Sequence, residues 1–516
     1  MGTKSQITRA AGIYGVGILV SRILGFLREM FIAYFLGTGM AADAFFVAFR
    51  LPNLWRRLFA EGTLAMVFVP IFTEYLQKSR SEALRLARAT WTLLAAILIL
   101  LSILGIVFAP VLVKLIAPGF THIIKKFALT VNLTKIMFPY VFFICLTALT
   151  MAILNALGYF AAPAFSYALL NISMILSLIF AHIFHSSPVY CLALGVMVGG
   201  VLQLLLQLPF LKRENLSFKP LFSFHHPGIS RIFTLMGPAV IGAAVYQLSI
   251  FINTLLASFL PEGSVSYLYY ADRLVQFPLA MFAFSMGTAM LPTLSREAAL
   301  KDIPKFKETL RFSLRSVFFV IFPASIGLIV LREPIIALIF ERGAFSAAST
   351  HYTAQALLCY ALGLIFFAGI RILITAFYSL QDTLTPVKIA SFCLIFNVIL
   401  GILLMIPLRH AGLALTTSIV ALLNVILLSW QLVKKIGPFW DNAFWYALIK
   451  SSLAVIIMGV CIWLFNQYTN ISYLKLVAIG LPLGVMVFFS SAYLLKCSEL
   501  SSIRDHGKSG KPHIST

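Results

Sequence analysis

SRILGFLREMFIAYFLGTGMAADAFFVAFRLPNLWRRLFAEG, residues 21–62, is the stretch that decides the class of this fold. It reads as two apolar segments joined by a Gly-rich turn at 37–39, yet it carries Arg22, Arg28, Glu29, Asp43, Arg50, Arg56, Arg57 and Glu61. An ionised side chain at bilayer depth costs roughly 2.5–3.5 kcal/mol on insertion scales. A chain that keeps this many in its first two membrane segments uses them. The pattern predicts a polar, net-positive cavity that receives an anionic head group.

Working outward, the rest of the chain is a membrane sequence. Of its 516 residues, 61% are hydrophobic and 11% charged, and the mean hydropathy is +0.98. Too few polar residues remain to cover a soluble globule. Apolar runs of about 20 residues recur, which predicts an all-α polytopic membrane protein with about fourteen transmembrane helices. The segments run at 8–36, 42–76, 89–117, 127–157, 162–184, 188–211, 232–260, 265–295, 312–340, 352–380, 386–407, 411–433, 443–466 and 473–496. A β-barrel would show shorter, alternating segments.

The net charge of +22 would suggest nucleic acid in a soluble protein. Here Lys and Arg gather at segment ends, so no nucleic-acid partner is expected. Alternate connections are basic: Lys78 to Arg88, Lys212 to Arg231, Arg296 to Arg311, and Lys434-Lys435. Positive-inside logic places both termini in the cytoplasm, with Lys125, Lys126 and Arg342 against the trend. The 213–231 connection is expected on the inner membrane face. No cleavable signal peptide is expected. The six cysteines show no CxxC, and all but Cys497 lie in apolar stretches, so neither disulfides nor a metal site are expected. No Walker A, HExxH or nucleophile elbow occurs. An ATP-driven pump is not expected from this chain, nor is an enzyme or a resident cofactor.

The chain also matches itself. Arg50 pairs with Arg273, Pro70 with Pro292, Pro110 with Pro334, Gly119 with Gly343 and Pro163 with Pro386, all 222–224 residues apart. Segments 1–6 and 7–12 therefore read as two pseudo-symmetric six-helix lobes related by an axis along the membrane normal. The expected organisation is an N-lobe at 1–211, a cytoplasmic connection at 212–231, a C-lobe at 232–433, two further helices at 434–497 and a cytoplasmic tail at 498–516. At the repeat offset, Arg22 and Arg28 meet Val245 and Phe251. The basic sector thus belongs to the first half alone, while the second half supplies Asp272-Arg273.

On a helix Ser21, Gly25 and Arg28 share one stripe, with Arg22 about 100° beside it. Counted from the 37–39 turn, Arg56 lies about 20 Å deep, and Arg273, counted from 261–263, roughly 15 Å. Arg22, Arg28, Arg56 and Arg273 are therefore candidates to converge on one anion. The guanidinium fork binds two phosphate oxygens and does not titrate away. Asp43, Arg57, Glu61 and Asp272 are supporting charges, the acids expected to pair with arginines in the empty site. Internal salt bridges between helices are the bland alternative, most evenly matched at Arg50 and Arg57. Pro52-Asn53 and Gly62 suggest a broken second helix. Gly158 to Pro163, Gly237-Pro238 and Asp382 to Pro386 are candidate hinges. Asp382 reads either as a loop carboxylate or helix cap, or, with Asn253, as a coupling site for a monovalent cation such as sodium or a proton.

At SRILGFLRE, GTGMAADAFFVAFRLPNLWRRLFAEG, VPIFTEY, YYADRL and SLQDTLTPVKIA the chain resembles the MurJ (MviN) family of lipid II flippases, within the multidrug/oligosaccharidyl-lipid/polysaccharide exporter superfamily. The resemblance covers nearly the whole chain. It implies a V-shaped central cavity between two lobes and a groove for a polyprenyl tail on the two extra helices. It implies that undecaprenyl-pyrophosphate-linked disaccharide-pentapeptide moves from the inner to the outer leaflet of the bacterial cytoplasmic (inner) membrane for peptidoglycan synthesis. The protein is expected to work as a monomer embedded in membrane lipid. By the resemblance, Arg22, Arg28, Asp43, Arg56 and Arg273 match the family's cavity charges, and Arg57, Glu61 and Asp272 its motif neighbours. Some members resemble a sodium-linked transporter with an acid in segment 7, where this chain has Asn253. The alternatives are an exporter of another polyprenyl-linked glycan or of drugs, and a polyprenyl-phosphate glycosyltransferase. A cationic-drug exporter would want an acidic cavity, and a glycosyltransferase a carboxylate and metal cluster.

Overall fold

The structure, a computed structural model, describes residues 3–57, 63–216, 219–221, 226–469 and 471–500. Glu61 and Gly62 of the organising stretch lie outside the described residues. Helices account for the regular structure, and no strand occurs among the described residues. Ten of the described helices are long and apolar enough to cross a membrane. The six cysteines are unpaired.

The chain forms two compact units. The first comprises Met1–Ser266 with Arg342–Phe345, the second Tyr267–Glu341 with Ser346–Thr516. The sequence-based boundary fell at 211–232. By contacts, residues 232–266 instead join the first unit.

In the first unit the helices are α1 (Thr3–Leu36), α2 (Met40–Trp55), α3 (Thr63–Lys78), α4 (Arg80–Val107), α5 (Ala109–Ile116), α6 (Ile124–Met137), α7 (Tyr140–Ala156), α8 (Ala161–Ile183), α9 (Pro188–Arg213) and α10 (Pro227–Ser258). Sequence sets their starts: the Ser79 hydroxyl accepts the Glu82 N–H to cap α4, and Pro188 and Pro227 open α9 and α10, where an N–H would be unsatisfied anyway. The interior is close-packed around Phe45, Phe46, Phe68, Phe72 and Tyr140, all fully buried. The C-terminal half of α4 does the opposite. Ile99, Leu100, Ile103 and Val107 are exposed, as a lipid-facing surface requires.

The helix of residues 40–55 continues through Pro52 and is followed by π-helical residues at Arg56 and Arg57. No break therefore occurs at Pro52-Asn53, where one was expected. The 212–231 connection is held by polar contacts to the first unit. Glu214 accepts from Arg80 (2.5 Å) and from the Tyr159 hydroxyl (2.7 Å), Arg88 donates to the Lys219 carbonyl, and the Leu221 N–H donates to Thr92.

Two backbone approaches echo the internal repeat. A Cβ on Gly119 would lie 2.2 Å from the Ser258 carbonyl oxygen, and one on Gly343 2.5 Å from that of Tyr34. Gly119 and Gly343 stand 224 residues apart, and so do Tyr34 and Ser258. Gly343 also has φ +59°, a conformation glycine adopts without strain.

The first turn of α11 (Ser264–Pro278) belongs to the first unit; the second unit contains the rest of it with α12 (Phe284–Ala299), α13 (Ile303–Val330), α14 (Arg332–Phe340), α15 (Ala347–Ser379), α16 (Leu384–Ile436), α17 (Asn442–Tyr468) and α18 (Tyr473–Leu494). Asp302, Ser346 and Asp441 cap α13, α15 and α17 through their side chains. As one straight rod α16 would be about 80 Å long, more than twice a hydrocarbon core. It instead turns at Arg409, where φ is 49° and ψ −130°, between the two predicted segments 386–407 and 411–433.

Candidate functional site

One charge of α1, Arg28, is held by a residue of α8, Asn171. Its side-chain oxygen accepts from the Arg28 guanidinium (3.0 Å), and its amide donates to the Ser21 carbonyl (3.1 Å). A Cβ on Gly25 would sit 3.7 Å from that amide. The stripe of Ser21, Gly25 and Arg28 read from helical periodicity is thus the face that α1 lays on α8. Arg28 also pairs with Glu29, which is buried. A buried carboxylate beside a guanidinium neutralises it and fixes its direction. Arg22 lies on α1 but is exposed, with no hydrogen-bond or ion-pair partner among the described residues. The site therefore offers one held arginine and one uncommitted arginine on the same helix.

Asp43 departs from expectation. It does not pair with an arginine. Asp43 is 1% exposed and Lys126 2%, and the two lie 2.7 Å apart. The carboxylate also accepts from the backbone N–H groups of Gly263 (2.8 Å) and Ser266 (2.9 Å) and from the Ser266 hydroxyl (2.6 Å). Asp43 thereby caps the N-terminus of α11 from a distance of more than 200 residues, where a negative charge is favoured. Lys126 sits 4.1 Å from the centre of the Phe120 ring, a cation–π contact. This is a sealed polar knot. Lys126 had stood out in the sequence only as a charge against the positive-inside trend.

Arg50 is likewise tied, donating to the Ile250 carbonyl (3.2 Å) and to the Thr254 hydroxyl of α10. Arg56 donates to Asn53 one turn back (2.8 Å). Arg57 lies next to it in the π turn, and its Nε is buried with no acceptor among the described residues. Single-turn π segments occur often at functional sites.

In the second unit Arg273 stacks over the Tyr269 ring (4.7 Å) and donates to its hydroxyl (3.1 Å). Asp272 accepts from Gln276 (3.3 Å) and has no cationic partner among the described residues. Asp382 lies in the turn before α16. There it accepts the Thr385 N–H (3.0 Å), capping the helix, and pairs with Lys435. Burial pushes its pKa up, but the hydrogen bonds from Lys435 and Thr385 more than offset this and bring it down to about 2. Asn253 belongs to α10 of the first unit and Asp382 to the second.

Sequence reasoning did not single out Asn171, Glu29 as a partner of Arg28, or Lys126 as the partner of Asp43. A lone Asn in an otherwise apolar segment was the available signal for the first. The partners of Asp43 carried none, because each lies more than 80 residues away.

Comparison with known proteins adds what geometry alone does not. The family described as Lipid II flippase MurJ matches residues 32–481. The chain is 38% identical over 484 residues to a protein of Burkholderia cenocepacia named lipid II flippase MurJ, covering 92% of this chain and 94% of that one. It is 37% identical over 446 residues to a probable lipid II flippase MurJ of Buchnera aphidicola, covering 86% and 87%. Among solved structures, a lipid II flippase MurJ in an inward closed conformation superposes with a TM-score of 0.79 at 26% identity, covering 93% of this chain and 98% of that one. An inward-facing multidrug resistance MATE family transporter of the MOP superfamily superposes at 0.63 with 14% identity, covering 83% and 98%, and shares the fold.

Proposed function

This chain belongs to the lipid II flippase MurJ family, and we propose that it carries a lipid-linked peptidoglycan precursor from the inner to the outer leaflet of the bacterial cytoplasmic membrane. The cargo is an undecaprenyl-pyrophosphate-linked disaccharide-pentapeptide. The protein acts as a monomer of fourteen spans with both termini in the cytoplasm. It moves its cargo by alternating access and breaks no covalent bond.

The observation that carries this reading is the pairing of Arg28 with Asn171 and Glu29 beside an uncommitted Arg22. In a low-dielectric segment, such an arrangement supplies two guanidinium groups to a doubly charged pyrophosphate while one carboxylate keeps the empty site from excess charge. Within the first unit Arg56 and Arg57 are two further guanidinium groups, and in the second unit Arg273 is oriented by Tyr269. The polyprenyl tail stays in the bilayer, along the last two helices. The commitment of Asp382 to Lys435 and Thr385 favours membrane potential over a sodium site as the bias that resets a basic cavity. One charge moved through 100 mV is worth about 2.3 kcal/mol.

The test is complementation of a strain depleted of its own lipid II flippase. The wild-type chain is expected to restore growth, and Arg22→Ala, Arg28→Ala and Arg273→Ala to fail at equal membrane levels. Failure of the inserted wild type would remove the functional reading. Growth with all three alanine variants would remove the arginine site while leaving the family intact.

A further inference from the structure

The second unit holds a cavity that has no part in the transport site described above. Its volume is about 240 Å³, and its lining includes Ile329, Arg332, Glu333, Pro334, Trp463 and Asn466. It lies where α13 gives way to α14, against the last turns of α17. On the orientation proposed above, on which this inference rests, these are the outer ends of the helices. The cavity is smaller than the roughly 300–1,000 Å³ that holds a drug-sized molecule. It has room for a head group rather than for a whole lipid.

Its chemistry is divided. Arg332 donates to the Ile329 carbonyl (2.8 Å), and it has no carboxylate partner among the described residues. The neighbouring Glu333 does not neutralise it. That carboxylate faces His351 instead, at 3.2 Å, and both groups are partly open to solvent. The cavity thus presents a guanidinium with unused N–H donors and a carboxylate beside it, at one wall. Trp463 is half exposed, as a ring at the membrane–water interface commonly is, with its indole N–H as a donor at that level. Ile329 and Pro334 supply the apolar floor.

An anion alone would meet Glu333 as a repulsive neighbour, and a cation alone would meet Arg332. A head group bearing a phosphate followed by an ammonium satisfies both. The geometry points to a binding site for the phosphoethanolamine head group of a membrane phospholipid, its phosphate on Arg332 and its ammonium on Glu333. Its acyl chains run along the exposed apolar surface of α17, on the side of Ile456 and Val460. Such a site makes an ordinary lipid a structural ligand of the second unit.

The purified full-length chain, in nanodiscs of phosphatidylcholine doped with either phosphatidylethanolamine or phosphatidylglycerol, is examined by native mass spectrometry for lipid retained after release. One phosphatidylethanolamine is expected to persist preferentially. Arg332→Gln lowers its retention about tenfold, as the loss of one charge-assisted hydrogen bond does. Glu333→Gln abolishes the preference over phosphatidylglycerol while leaving phospholipid bound. Thermal unfolding of each variant in lipid-free detergent checks that the fold is kept. Equal retention by the wild type and a folded Arg332→Gln variant would overturn the site. So would a preference for phosphatidylglycerol in the wild type, or displacement of the lipid by inorganic phosphate. None of these readouts depends on flipping, so the site can fail while the transport function stands, and the reverse.

Discussion

Replacing Lys126 with Met tests the sealed knot around Asp43. The substitution keeps the length and apolar stem of the side chain and removes only its charge. Asp43 would stay buried, 1% exposed, with three hydrogen bonds from Gly263 and Ser266 but no counter-charge. Removing one member of a buried pair costs about 3–5 kcal/mol. The surviving hydrogen bonds place Lys126→Met near 3 kcal/mol. Asp43→Asn costs more, because it strands a lysine whose remaining contact is the Phe120 ring. At roughly 2–4 °C per kcal/mol for a unit of this size, Lys126→Met lowers the apparent melting temperature by about 6–12 °C. The double variant removes both charges and recovers part of the loss, giving a favourable coupling between the two sites of at least about 1 kcal/mol. Thermal unfolding in detergent, followed by the reactivity of buried cysteines such as Cys145, reads all four proteins. A melting temperature for Lys126→Met equal to wild type, or a double variant as unstable as the sum of the two single ones, would refute the argument.

Asn171→Leu is expected to leave the protein folded but unable to complement, because Arg28 loses the acceptor at 3.0 Å that directs it; Asn171→Asp, which keeps that acceptor, restores more function than Leu. Gly343→Ala combines a left-handed φ of +59° with a Cβ 2.5 Å from the Tyr34 oxygen, and should lower thermal stability by more than about 1–3 kcal/mol, read as a fall in melting temperature. Asp382 has its pKa lowered from 3.8 to about 2, so its contribution to stability is complete above pH 3.8 and is lost as pH falls toward 2. Asp382→Asn should therefore flatten the acid limb of the stability profile over that window, and an unchanged limb would remove the assignment. Glu29→Gln unmasks Arg28 and should raise the affinity for soluble pyrophosphate, measured by displacement of a labelled analogue, while leaving Arg22→Ala as impaired as before.

The sequence by itself determined what depends on local pattern. Runs of apolar residues fix which segments must lie in lipid, because an unpaired backbone there is too costly in any form but a helix. The 3.6-residue period placed Ser21, Gly25 and Arg28 on one face, and all three meet Asn171. The 224-residue spacing of Gly119 and Gly343 corresponds to two real close approaches of backbone. Tertiary structure alone decided the assignment of charges to one another. Asp43 was legible as a buried acid, but its lysine lies 83 residues away and its amide donors 220 and 223. Asp382 looked like a cation ligand or a cap, and only the return of α16 brought Lys435 to it across 53 residues. Residues 232–266 follow their neighbours into the first unit rather than their place in the repeat. The physical reason is common to these cases. Periodicity is a property of one helix, whereas a buried charge is satisfied by whichever opposite group the packing delivers, and in a low dielectric that choice carries several kcal/mol without leaving a local trace.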